Sequence, residues 1–240
     1  MTIAQTFLQA DGISKSFGPK KVLRGLSFCA QGHETVALLG ENGSGKTTLL
    51  SILATLLSPD KGKISYFGQP LNGNESGIRR RLGIVSHQLL LYSDLSAEEN
   101  LRFYARLYTL PEPEQRVEQI LDLVGLKKQR SQVVRTFSRG MQQRLAIGRA
   151  LLHDPSILFL DEPFTGLDQN MTERMLNLLK QIMGQEKTVI MASHSFKEVS
   201  LLASRALFLQ GGCFVDDVDM AGMDEHQLAE RYQAVIHPGG

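Results

Sequence analysis

The spacing of apolar and polar positions changes several times along the chain, and each change marks an element. Up to about Gly40, the runs Leu8–Phe17, Lys21–Gly32 and Thr35–Gly40 read as short β segments separated by turns. A helix is predicted from Lys46 to about Leu57, stopping before Pro59. Gly62–Gly68 and Arg81–His87 predict two further strands. The pattern then becomes helical. Asp94–Leu110 opens with Ser96 and Glu99 at capping-box spacing, Pro113–Leu126 is ended by Gly125, and Arg139–Pro155 ends before its proline. Strand and helix then alternate through Ser156–Pro163, Gln169–Lys187, Thr188–His194 and Ser195–Ser204. Arg205–Gly212 and Cys213–Asp217 predict a closing hairpin, followed by a short tail. Alternation at both ends implies a mostly parallel sheet flanked by helices, and the helices between Gln88 and Pro155 imply a lobe inserted into it.

Composition narrows the class. With 240 residues, 42% hydrophobic and 21% charged, the chain can bury one large core. A formal net charge of +1 supplies no bulk basic field, which argues against a nucleic-acid partner. Cys29 and Cys213 fit no metal spacing and read as two reduced thiols. The N-terminal stretch lacks the basic start and apolar run of a signal peptide. The greasiest segment, Leu49–Ser58, is about half as long as a bilayer span requires.

The stretch LLGENGSGKTTLL, Leu38 to Leu50, gives up local stability to glycine between a β run and a helix. Gly40, Gly45, Lys46 and Thr47 match G-x-x-x-x-G-K-[ST]. Without Cβ atoms, backbone N–H groups can turn inward around phosphate oxygens, and a helix N-terminus adds partial positive charge. Lys46 would neutralise the β/γ-phosphates and the Thr47 hydroxyl would ligate Mg2+. The candidate nucleotide contacts of the loop are Glu41, Asn42, Gly43, Ser44, Gly45, Lys46, Thr47 and Thr48.

A second element completes the chemistry. In ILFLDEP, Asp161 and Glu162 follow a run of apolar residues, as at the carboxyl end of a buried parallel strand, where ligands bind in such sheets. Asp161 is suited to hold Mg2+ through water, and Glu162 to orient and deprotonate an attacking water.

Read with four further motifs, the chain resembles the nucleotide-binding subunit of ATP-binding cassette (ABC) transporters over nearly its whole length. Gln88 matches the glutamine that opens the helical lobe, Phe137–Arg144 (FSRGMQQR) the signature motif, Gly166–Asp168 the D-loop, and His194 the switch histidine. Phe17 stands where the family stacks an aromatic on adenine. The resemblance implies an α/β fold: a P-loop NTPase (RecA-like) core with an N-terminal antiparallel β-subdomain and an inserted α-helical subdomain. It implies one domain, 1–240, with 1–87 and 156–240 as core and 88–155 as the insert. ATP and Mg2+ are the implied cofactors. Glu162, His194 and Gln88 are the implied catalytic residues, and Thr47, Gln88 and Asp161 the metal side. Ser138 and Gly140 would face the γ-phosphate held by an opposite subunit in a head-to-tail pair, either a homodimer or two different nucleotide-binding subunits. Asp168 would cross that interface.

Two positions depart from the family pattern. Arg139 replaces a glycine of the signature and points either toward phosphate or into solvent; Met141 replaces its glutamine and is expected to pack. His33, His87, His153, His226 and His237 fit no metal spacing and read as surface or core polar groups. Phe103, Tyr104 and Tyr108 recur at helical intervals, either as core or as a groove for a short helix of a membrane subunit. The resemblance implies an ATPase on the cytoplasmic face of the membrane that drives transport, export by the similarity to haem-exporter ATPases of cytochrome-c biogenesis, through separate integral membrane subunits. The alternative is an ABC ATPase of an assembly or repair complex without a permease. Glu162 speaks against a scaffold that binds ATP without turnover.

Overall fold

The computed structural model describes residues 5–71 and 75–237. Residues 1–4, part of the N-terminal stretch read above, lie outside that range. In chain order, β1 (Thr6–Phe17) and β2 (Lys20–Gln31) form a long hairpin, followed by β3 (Thr35–Leu39), α1 (Lys46–Leu53), β4 (Lys61–Tyr66) and the two-residue β5 (Gln69–Pro70). A single turn, α2 (Ser76–Arg79), leads to β6 (Leu82–Val85). Three helices follow: α3 (Ala97–Leu107), α4 (Pro113–Leu123) and α5 (Arg139–Leu151). The remainder is β7 (Ile157–Asp161), α6 (Gln169–Met183), β8 (Thr188–Ser193), α7 (Phe196–Leu202), β9 (Arg205–Gln210), β10 (Cys213–Asp219) and α8 (Glu225–Ile236).

Two sheets result. One is antiparallel, in the order β2-β1-β4-β5; the other has six strands in the order β10-β9-β3-β8-β7-β6. The larger is parallel from β9 to β6, and only β10 runs antiparallel to its neighbour. Its central strands are buried on both faces, so they read in sequence as continuous apolar runs. Strand periodicity sorts those runs into two cores. Val36, Leu38, Ile157, Phe159, Ile190 and Ala192 face α1 and the antiparallel sheet. Ala37, Leu39, Leu158, Leu160, Val189 and Met191 face the opposite layer of helices, in one apolar cluster with residues of α3, α4 and α5. Phe159 and Phe208 are completely buried, one in each core; burying a side chain of this size stabilises by about 1.5–3 kcal/mol.

The local signals explain the helix ends. The capping box at Ser96 forms: its Oγ accepts from the Glu99 amide while the Glu99 carboxylate accepts from the Ser96 amide. Gly125, at φ 64°, follows α4 in the left-handed region. Two expectations need correction. The first helix ends at Leu53, not near Leu57, because Thr55 turns into the left-handed region at φ 61°. The tail after the hairpin is a twelve-residue helix, α8, started by a capping box between Asp224 and Gln227.

Candidate functional site

Strand register gathers the candidate residues at one edge. Leu39 of β3 pairs with Ser193 of β8, Asp161 of β7 with Ala192, and Val85 of β6 with Leu160. Four parallel strands therefore end together, and the glycine loop, Asp161–Glu162, His87–Gln88 and His194 all leave from their carboxyl ends.

The loop between β3 and α1 is held open by its glycines. Gly45 precedes α1 at φ 113°, and a Cβ there would stand 2.7 Å from Leu23 Cδ2, so both backbone and space demand glycine. No side chain caps α1 and no acidic residue lies in its first turn, which leaves its N-terminal amides as donors for an anion. Lys46 is buried; its Nζ donates to the carbonyls of Gly40 at 2.7 Å and Glu41 at 3.1 Å. Burial lowers its pKa, against the opposing fields of Glu162 and Asp161. Thr47 Oγ1 donates to Asp161 Oδ1 at 3.1 Å, linking helix start and strand end. Burial raises the Asp161 pKa, while the Thr47 hydrogen bond and the fields of His87 and Lys46 oppose the rise.

Glu162 leaves β7 at φ 51°, a left-handed conformation for a residue with a side chain. Its amide still bonds Ala192 O at 3.0 Å. Backbone strain of this kind costs about 1–3 kcal/mol and gathers at functional sites. The turned carboxylate is largely buried and lies with Oε2 2.7 Å from His194 Nδ1. A carboxylate only accepts, so the imidazole donates through Nδ1–H and its Nε2 remains for another partner.

These groups line a cleft of about 420 Å3 bounded by Phe17, Lys20, Val22, Asn42, Gly43, Gly45, Lys46, Thr47, Thr48, His87 and Glu162. That is the size of a small-molecule site. Its polar groups suit a triphosphate: amides of the glycine loop, the Lys46 ammonium and the Thr47 hydroxyl. Among the described residues the buried Ser44 Oγ has no hydrogen-bond partner. Among the described residues no cluster of three His, Cys, Asp or Glu could cage a metal alone. A hydroxyl and one carboxylate instead fit Mg2+, which binds few protein groups and shares substrate phosphates.

Not every candidate reaches the cleft. Glu41 and Ser44 line a smaller recess behind the loop, beside Tyr232 and Ile236 of α8. Gln88 is exposed and does not line the cleft, whereas its neighbour His87 does. Asp161 meets the site through Thr47 and His194 through Glu162. Ser138 and Gly140 lie at the start of α5, away from the cleft of their own chain; Ser138 Oγ caps that helix on the Met141 amide. Asp168 likewise caps α6, accepting from the Met171 amide at 2.8 Å. Sequence reasoning missed Lys20 and Val22, which only the hairpin geometry brings beside Phe17, and His87, read as surface or core.

Residues 23–165 match the family described as ABC transporter. The linearmycin resistance ATP-binding protein LnrL of Bacillus subtilis (strain 168) is 36% identical over 207 residues, 85% of this chain and 67% of that protein. The Nod factor export ATP-binding protein I of Bradyrhizobium diazoefficiens is 32% identical over 229 residues, 94% of this chain and 75% of that protein. A dimeric ATP-binding cassette in a post-hydrolysis state, bound to ADP and Pi, superposes with a TM-score of 0.80 at 26% identity, covering 89% of this chain and 98% of its own. By its glycine loop, its strand-end carboxylates and these matches, the chain belongs to the ABC transporter family as an ATP-binding, ATP-hydrolysing subunit.

Proposed function

We propose that the chain is the motor of an exporter, hydrolysing ATP at the interface of two paired subunits and driving separate integral membrane subunits. The observation that carries the reading is the convergence of Lys46, Thr47, Asp161 and Glu162 at one strand edge. Export is supported by the relatives, one named for Nod factor export and one for linearmycin resistance. Among the described residues no helix is long and apolar enough to cross a membrane. The reading assigns the pore to other chains, as the family of transporter ATP-binding subunits suggests, and places this subunit on the cytoplasmic face.

Phe17 stacks on adenine, and loop amides with Lys46 hold the β- and γ-phosphates. Thr47 Oγ1 and the Asp161 carboxylate would hold Mg2+, which would supply charge neutralisation for the transferring phosphoryl group. Glu162 takes a proton from the attacking water, and His194, oriented by Glu162, directs Nε2 to the γ-phosphate. Gln88 would stand on the metal and water side of the site. In this reading the γ-phosphate takes a second donor set opposite the phosphate loop. Ser138 Oγ and the amides near Gly140 supply it from a second subunit, with Asp168 at the same interface. The dimeric cassette with ADP and Pi supports such pairing.

Residues 88–155 act as the unit that meets the membrane subunits, set on a core made of 1–87 and 156–240. Support comes from α3, where Phe103 and Leu107 are exposed beside Arg102 and Arg106 along a groove of about 520 Å3, with the Tyr92 ring, ahead of the helix, packed edge-on against Phe103. Such a groove suits an amphipathic helix from a membrane subunit. The test is purification of the tagged chain from detergent-solubilised membranes. A multi-span partner whose release follows Phe103→Glu supports the motor; a soluble partner in its place overturns it.

A further inference from the structure

Arg139 follows the α5 cap Ser138, and sequence leaves its direction open. In the structure it lies over the turn that joins Glu162 to α6. Its Nε donates to Thr165 O at 3.3 Å. A Cβ on Gly166, at φ 77°, would stand 3.1 Å from that Nε and 3.5 Å from Arg139 Cδ. Glycine thus leaves the space that the arginine occupies. The next residue makes a second contact. A Cβ on Gly140 would stand 2.8 Å from Met171 Sδ, so Met171 presses directly on the start of α5. The Met171 amide is in turn the donor to the capping carboxylate of Asp168. Residues 139 and 140 therefore seat on the segment 165–171 at two points.

We propose that Arg139 is a positioning residue that fastens the turn 165–168 to the start of α5, so that both approach the opposite subunit as one body. The proposal rests on the pairing of subunits argued above. The turn's own backbone bonds are Thr165 N to Glu162 O and Leu167 N to Phe164 O, both 3.2 Å. The Arg139 bond adds a further tie of similar length from outside the turn. Because Thr165 N bonds Glu162 O, fastening Thr165 also limits the swing of Glu162. The competing role is a cation offered to the partner's γ-phosphate, and it differs in needing the charge.

Two variants separate the roles. In Arg139→Gln, Nε2 lies the same number of bonds from Cα as the arginine Nε, so the donor stays and the charge goes. Arg139→Met keeps length and loses the donor. Amide hydrogen exchange of 164–168 is measured on the nucleotide-free chain, and kcat and KM for ATP on the same preparations. The expected result is exchange about fivefold faster and kcat about fivefold lower in Arg139→Met, at unchanged KM, the size of one ordinary hydrogen bond. Arg139→Gln is expected to match the unaltered chain in both. Equal loss in both variants with raised KM would show a phosphate cation and overturn the proposal; so would an Arg139→Met that exchanges and turns over normally. An unaltered chain without ATPase activity defeats the motor reading, while the exchange comparison still decides the fastening.

Discussion

Glu162 and His194 are joined side chain to side chain, Oε2 to Nδ1 at 2.7 Å, although they leave different strands. The pairing sets the proposed base, Glu162, which lines the phosphate cleft, against the histidine it orients. Glu162→Gln removes the proton acceptor but keeps the shape. Its turnover is expected to fall by at least about 100-fold, the typical span of general-base catalysis. ATP binding should persist, and an ATP-bound dimer should accumulate on a sizing column. Unchanged turnover would remove Glu162 as the base.

Lys46 sits buried and, among the described residues, bonds only loop carbonyls, which leaves its ammonium for phosphate. Lys46→Ala is expected to weaken ATP binding by about 10- to 100-fold, since charge-assisted hydrogen bonds contribute about 1.5–3 kcal/mol. Equilibrium titration with a fluorescent ATP analogue reads this directly. An affinity equal to that of the unaltered chain counts against the loop assignment.

Asn100 is fully buried in α3 and ties down the segment ahead of it. Its Oδ1 accepts from Tyr92 N at 2.8 Å, and its Nδ2 donates to Tyr92 O at 3.0 Å and Ser96 O at 2.9 Å. Asn100→Leu strips those partners and is expected to cost about 1–3 kcal/mol or more. Calorimetry should show Tm lower by about 2–4 °C for each kcal/mol lost. An unshifted Tm would mean that water replaces the amide without loss.

His153 predicts a pH dependence of stability. Burial lowers its pKa; the Leu82 carbonyl hydrogen bond opposes this only in part, and the ring stacks on Tyr108 at 4.1 Å. An unfolded histidine takes up its proton near pH ~6.5. Below that pH the unfolded state holds more protons than the folded one, so this contribution to stability is complete above ~6.5 and is lost as pH falls. Urea unfolding from pH ~7.5 to ~5.5 should show a fall that is shallower in His153→Gln, by up to about 1.4 kcal/mol per pH unit. Parallel profiles for the two proteins would contradict the buried neutral ring.

How much could be read beforehand follows from the physics of each residue. The glycine loop and the run ILFLDEP were legible because phosphate binding and burial on both faces leave compositional traces. Ser96 and Glu99 announced α3 for the same kind of local reason. The helix α8 carries a comparable local signal, Asp224 with Gln227 ahead of Leu228, Tyr232 and Ile236 at every fourth position, which a reading of that segment as a short tail leaves unused. Other features leave no trace. Nothing in the sequence announces that Glu162 turns left-handed, that His87 rather than Gln88 lines the cleft, or that Arg139 lies over Gly166. Each depends on chain direction after a strand or on a neighbour distant in sequence.

The central claim is that this cleft grips a magnesium-bound triphosphate. Titration of the purified chain with ATP, with and without Mg2+, in an isothermal calorimeter tests it most directly. Saturable heat that grows with Mg2+ and is lost in Lys46→Ala is the predicted result. A flat trace for the unaltered, folded chain at millimolar nucleotide would contradict the account.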